Sequence, residues 1–295
     1  MHHRFLEPTI LAGISGLELV AKTVVDGFIS GLHRSPDFGF SQEFAEYRQY
    51  VPGDDLRYVD WNVFARTERA YLKRYRGETN TFVTLLLDAS KSMAFGSHAV
   101  PKMDYARYLA ASLCYLASQQ RDAVGLIVFD DEVRNYVRPS SRQGQMARLL
   151  HALEKAEPAA RTDYAKPFLH FQQFHVRRGV ALVISDFYAD PETVVKTIEP
   201  LRMRGNEVVM FHVLDPEEIA PRFGEPVILI DLETGDELEV TPDYATHEYR
   251  KKIDSHVEAL RTKAQSSGID YYLVNTAQPL DAALREYFRI RQKRF

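Results

Sequence analysis

Residues 81–92 read TFVTLLLDASKS, and their texture decides the fold. From Phe82 the run is apolar apart from one threonine, and at Asp88 it breaks into a polar stretch carrying Ser90 and Ser92. A short continuous apolar run without polar alternation suits a strand covered on both faces. Three further runs repeat it and also end in aspartate: AVGLIVFD at 123–130, VALVISD at 180–186 and VVMFHVLD at 208–215. Amphipathic stretches lie between them, the signature of βαβ units around a parallel sheet. Strands are expected at 81–88, 123–130, 179–185, 207–213 and 269–274. Helices are expected over roughly 102–119, 142–155, 164–176, 191–203, 243–266 and 279–291. The expected fold class is α/β, a doubly wound, mostly parallel sheet flanked by helices.

Two hairpins interrupt this alternation. Val133 to Arg138 is expected to pair antiparallel with the strand before it, and VILIDLETGDELEV at 227–240 reads as two short strands around Thr234-Gly235-Asp236. Before residue 80 the texture is mixed. Residues 14–33 carry apolar groups at helical spacing, residues 34–40 read as a loop, and Pro52-Gly53 fits a type II turn. Leu72, Arg74 and Arg76 alternate with Lys73 and Tyr75 as in a strand. So short a segment rarely sustains its own core, so residues 1–80 are expected to pack as an extension on a main domain of 81–295, with Tyr58, Trp61 and Phe64 in the core.

Composition limits what this fold can do. With 295 residues and 45% hydrophobic content, the chain has ample material for a buried core. A net charge of −4, with Lys and Arg spread along the chain, gives no footprint for a nucleic acid. The single cysteine, Cys114, cannot form an intrachain disulfide, which suits a reducing compartment. No apolar run approaches the ~18 residues of a membrane span, and Glu7 and Glu18 interrupt any signal-peptide core, so a cytoplasmic location without direct membrane insertion is expected.

In open α/β sheets ligands bind at the carboxyl ends of the strands. Asp88, Ser90 and Ser92 follow the first strand of the alternating region, Asp186 follows another, and Thr162 lies in a loop between. These five supply only oxygen donors, with no Cys or His. Such a set selects Mg²⁺, Ca²⁺ or Mn²⁺, with Mg²⁺ foremost, over zinc or copper. Other clusters read as ordinary structure. Asp54, Asp55 and Asp60 fit turn chemistry, and Arg57, Arg66, Arg69, Lys73, Arg74 and Arg76 are balanced by neighbouring acids. His170 and His175 are five apart and share no helical face.

The order Asp88-Ala89-Ser90-Lys91-Ser92, then Thr162, then Asp186 resembles the metal-ion-dependent adhesion site (MIDAS) of von Willebrand factor A domains. The stretch SPDFGFSQEFAEYRQYVPGDDLRYVDWNVFART resembles the signature of the bacterial DUF58 family, as do DLETGDELEV and the closing LDAALREYF. The resemblance implies a von Willebrand factor A-like, Rossmann-type topology from about residue 81. It implies that Asp88, Ser90 and Ser92 approach a metal, that Thr162 is a direct or switching ligand, and that Asp186 acts through water. It also implies partnership with a MoxR-type AAA+ ATPase or a client of one. The threonine loop departs from the pattern, with Ala159, Ala160 and Arg161 where glycines are usual.

Enzymatic readings find little support in the sequence. A phosphatase whose nucleophilic aspartate follows a strand needs a second acid two residues later, and position 90 is serine. The chain has no G-x-S-x-G elbow, no G-x-x-x-x-G-K-[ST] loop and no G-x-G-x-x-G. The expectation is a non-enzymatic, metal-dependent binding protein whose cation bridges to a carboxylate on a protein partner. A structural scaffold with a vestigial site is the alternative, and a metal-dependent phosphoester hydrolase is a further one.

Overall fold

The computed structural model of the chain describes residues 7–32, 44–51, 59–75, 81–159, 161–165, 167–169 and 178–292. Its strands are β1 (Phe44–Gln49), β2 (Tyr71–Tyr75), β3 (Phe82–Asp88), β4 (Ala123–Phe129), β5 (Val133–Ser140), β6 (Gly179–Ser185), β7 (Glu207–Leu214), β8 (Val227–Ile230), β9 (Glu237–Val240) and β10 (Asp270–Asn275). The apolar runs become the inner strands of a six-stranded sheet in the order β10-β7-β6-β3-β4-β5. Five strands run parallel, and β5 returns antiparallel on the edge against β4. Residues 83–88 of β3 and all of β4 and β6 are buried, which is why their sequences show no alternation. The start of β6 lies so close to β3 that a Cβ at Gly179 would stand 2.1 Å from the Phe82 carbonyl oxygen, so only glycine fits.

Helices Lys102–Gln119, Gln145–Glu154, Pro191–Met203, Arg250–Ser266 and Asp281–Gln292 follow the expected spans within a few residues. The helix at Pro191 starts sharply because the Asp190 carboxylate accepts from the Thr193 amide at 2.9 Å. The 243–266 segment begins with a short helix and a π-helical turn at Ala245–Tyr249 before the regular helix. The hairpins at 133–140 and 227–240 form as expected, the second as a separate two-stranded sheet. From β3 the chain passes to β4 on one side and later to β6 on the other. The strand order therefore reverses between β3 and β6, and the crevice at their carboxyl ends is where such folds bind ligands.

By packing the chain divides into two units, residues 29–79 and the remainder, Met1–Phe28 with Asn80–Phe295. In the smaller unit β1 and β2 pair antiparallel, and buried Asp60 starts the helix Trp61–Thr67 by accepting from the Val63 amide at 3.3 Å. The core assignment of Trp61 and Phe64 is overturned here: they are 58% and 41% exposed, stacked edge to face at 5.9 Å. The segment forms a helix, and residues three apart on it share one face, which points to solvent. Residues 34–40, Pro52, Gly53, Asp54, Asp55, Arg57, Tyr58, Arg76, Ala160, His170 and His175 lie outside the described residues, as does much of the helix expected at 164–176.

Candidate metal centre

The break after β3 is built by hydrogen bonding. Asp88 Oδ1 accepts from the Ser90 amide at 2.8 Å, curling the backbone so that Ser90 and Ser92 lie with their hydroxyl oxygens 3.0 Å apart. A 3₁₀ turn, Lys91–Ala94, follows and fixes that bend. Thr162 arrives from the loop before the 164–169 segment, its Oγ1 3.5 Å from Asp88 Oδ2. Asp186 immediately follows β6, next to β3 in the sheet, and its charge acts on Asp88. The five residues singled out in the sequence thus gather at the end of β3 and β6. Asp88, Ser90 and Asp186 are buried.

Asp186 is handled differently from Asp88. Its Oδ2 accepts from Lys102 Nζ at 2.7 Å, and the same ammonium reaches Glu218 Oε1 at 2.7 Å. Burial works against the Lys102 charge, yet the two carboxylates outweigh it and hold the ammonium above its ordinary pKa. Tyr188 adds a ring face 4.9 Å from Nζ. Asp186 Oδ1 is buried and has no hydrogen-bond partner among the described residues. Just beyond, Phe187 adopts a left-handed backbone at φ 47°, rare for a bulky residue and a mark of strain held by the surrounding structure.

Among the described residues, Asp88 receives hydrogen bonds and no cationic side chain. Ser185 Oγ donates to its Oδ2 at 2.5 Å, and Tyr164 lies 2.9 Å beyond on the same hydroxyl. Burial, and then the nearby charge of Asp186, push the Asp88 carboxyl up to about 7, against the pull of the Ser185 and Ser90 hydrogen bonds. Burial likewise pushes Tyr164 well above its ordinary value, so it stays a phenol and a donor. Among the described residues no group of three or more His, Cys, Asp and Glu side chains is placed to hold a metal. A cation here would rest on two carboxylates and on hydroxyls, the donor set of a hard ion.

The defining pattern of the family described as "Protein of unknown function DUF58" matches residues 46–263. The chain belongs to the DUF58 family. The "Uncharacterized protein Mb1516" of Mycobacterium bovis is 31% identical over 233 residues, covering 78% of this chain and 73% of that one. Among solved structures, BatB from Bacteroides thetaiotaomicron aligns with 72% of this chain and 99% of its own at 17% identity and a TM-score of 0.49. The SpRpn10 VWA domain aligns with 70% of this chain and 95% of its own at 10% identity and a TM-score of 0.44. The sheet order and parallel register of this DUF58 protein give it the von Willebrand factor A-like α/β fold that its motifs led one to expect.

Three contributors to the DUF58 site escaped the sequence reading. Ser185 stands one residue before Asp186 and was hidden inside an apolar run. Lys102 gave a usable signal, since a lysine in the first turn of a helix opposes the helix dipole and calls for acidic partners elsewhere. Glu233 comes from the β8–β9 turn, and its carboxylate accepts from Thr162 Oγ1 at 3.2 Å and from the Thr162 amide at 3.3 Å. Nothing local in DLETGDELEV announces that reach.

Proposed function

We propose that this DUF58 protein is a non-enzymatic adaptor that binds another protein through a divalent cation, Mg²⁺ foremost, with Ca²⁺ or Mn²⁺ able to take the same place. Asp88, Ser90 and Ser92 would hold the cation, with Thr162 direct or switching and Asp186 through its free Oδ1 or a water. The observation that carries the reading is the state of Asp88. It is a fully buried carboxylate, pushed up to about 7 beside a second carboxylate, with only hydroxyls and an amide as partners among the described residues. A bound cation would supply the missing positive charge and an open position for an acidic side chain of the partner. The chain's own residues orient that position, and the strain at Phe187 fits a preorganised site.

The partner proposed from the family resemblance is a MoxR-type AAA+ ATPase or a client of it, met in the cytoplasm. No helix among the described residues is long and apolar enough to cross a membrane. Ser90 Oγ faces Ser92 Oγ instead of a basic side chain, which disfavours a nucleophilic role. The test is affinity capture from cell extract with and without chelator, repeated with Asp88→Ala. A partner retained in Mg²⁺ and lost on chelation and in the variant supports the adaptor. Retention untouched by either points to the scaffold, and metal-dependent phosphoester hydrolysis abolished by Ser90→Ala would favour an enzyme.

A further inference from the structure

The hairpin of β8 and β9 reaches across to the site. At its tip Asp231 caps the turn by accepting from the Glu233 and Thr234 amides at 2.7 and 2.9 Å, which directs the Glu233 side chain outward from the turn. Arg161 Nε donates to the Glu233 carbonyl at 3.2 Å, and Thr162 donates from both its amide and its hydroxyl to the Glu233 carboxylate. Thr162 Oγ1 thus has two carboxylate oxygens within reach, Glu233 Oε1 at 3.2 Å and Asp88 Oδ2 at 3.5 Å. A hydroxyl has one proton to give, so it cannot satisfy both. Two acids converging on one neutral hydroxyl is an arrangement that a cation between them would resolve.

This contact ties the tip of the hairpin. A two-stranded sheet is marginal alone, and Ile228, Ile230 and Leu238 on its strands are 61%, 57% and 50% exposed. Its base is secured at Val240, which is fully buried. The tip is tied through Arg161 and Thr162.

Resting on the metal-binding reading above, we propose that Glu233 is the site's own acid: it takes the ligand position that a partner carboxylate would occupy, so the hairpin closes the loaded site in cis and a partner must displace it. The carboxylate has the chemistry that the open position favours, and Thr162, the residue that holds it, is itself one of the ligand set. Binding of an acidic partner and release of the hairpin are then one exchange, carboxylate for carboxylate. The exposed apolar side chains of the hairpin move with that exchange.

Isothermal titration with Mn²⁺ and Mg²⁺, on the full chain and on its Glu233→Gln and Asp88→Ala variants, tests this together with amide hydrogen exchange across 227–240. Glutamine keeps the shape and removes the charge; its carbonyl oxygen can still accept from the Thr162 amide, while its NH2 group must donate to the Thr162 hydroxyl. The expected results are loss of binding in Asp88→Ala, about tenfold weaker binding in Glu233→Gln, and metal-induced protection of hairpin amides in the natural sequence only. Added acetate at high concentration should reverse that protection. If Asp88→Ala loses the metal while Glu233→Gln binds as tightly as the natural chain and shows the same protection, the cis ligand is wrong and the metal site stands. If the natural chain binds neither ion, both readings fall.

Discussion

On one side of Asp186 the chain supplies its own cation, and on the side of Asp88 the described residues supply hydroxyls and a backbone amide. Lys102 lies fully buried between Asp186 and Glu218, a charge cluster closed within the protein. Asp88, equally buried, is met by Ser185, the Ser90 amide and Thr162, and burial together with the charge of Asp186 weakens its acidity against the pull of the Ser185 and Ser90 hydrogen bonds. The difference separates structure from function. A buried charge that is paired internally belongs to the architecture, whereas one left with neutral partners is held ready for something the chain does not contain.

Breaking the closed cluster should give the largest effect. Lys102→Met leaves Asp186 and Glu218 buried without their cation, and urea denaturation should show a loss of about 3–5 kcal/mol. If the loss is below about 1 kcal/mol, the cluster is not the structural member of the pair.

The layer behind Asp186 yields a pH test. His212 is buried, packs edge to face on Phe187 and lies with Nδ1 2.6 Å from the Tyr271 hydroxyl. Burial, reinforced by the neighbouring His256, lowers it from 6.5 to about 3. Below 6.5 the unfolded chain takes up a proton that the folded chain refuses, so stability falls as pH falls, by about 1.4 kcal/mol per unit. From pH 6.5 to 5 that amounts to ~2 kcal/mol. His212→Gln should flatten that part of the stability curve relative to the natural chain, and parallel curves would contradict the assignment.

The smallest effect should be at the open site. With metal chelated, Asp88→Asn should change stability by less than about 1 kcal/mol, in contrast with Lys102→Met. Asparagine keeps an acceptor for the Ser90 amide, while the Ser185 and Thr162 hydroxyls can turn to accept. A loss near that of Lys102→Met would erase the contrast between the two neighbourhoods.

How much of this was legible in the chain differs from segment to segment. The strands β3, β4, β6 and β7 could be read because burial on both faces forces continuous apolar runs, and Asp88, Ser90, Ser92 and Asp186 could be read because each stands where such a run stops. Trp61 and Phe64 were misread because aromatic content alone does not say which face of a short helix meets solvent. Ser185 was obscured by its own strand, where a small polar side chain looks like filler.

Sequence by itself therefore determined the parallel α/β sheet and the oxygen-rich ends of its strands, since both follow from local periodicity and residue chemistry. Tertiary structure alone decided which acids are neutralised. Lys102 meets Glu218 across 116 positions of chain, and Glu233 meets Thr162 across 71. Charge pairing depends on distances of a few ångströms, which the fold sets and which no local pattern of residues encodes.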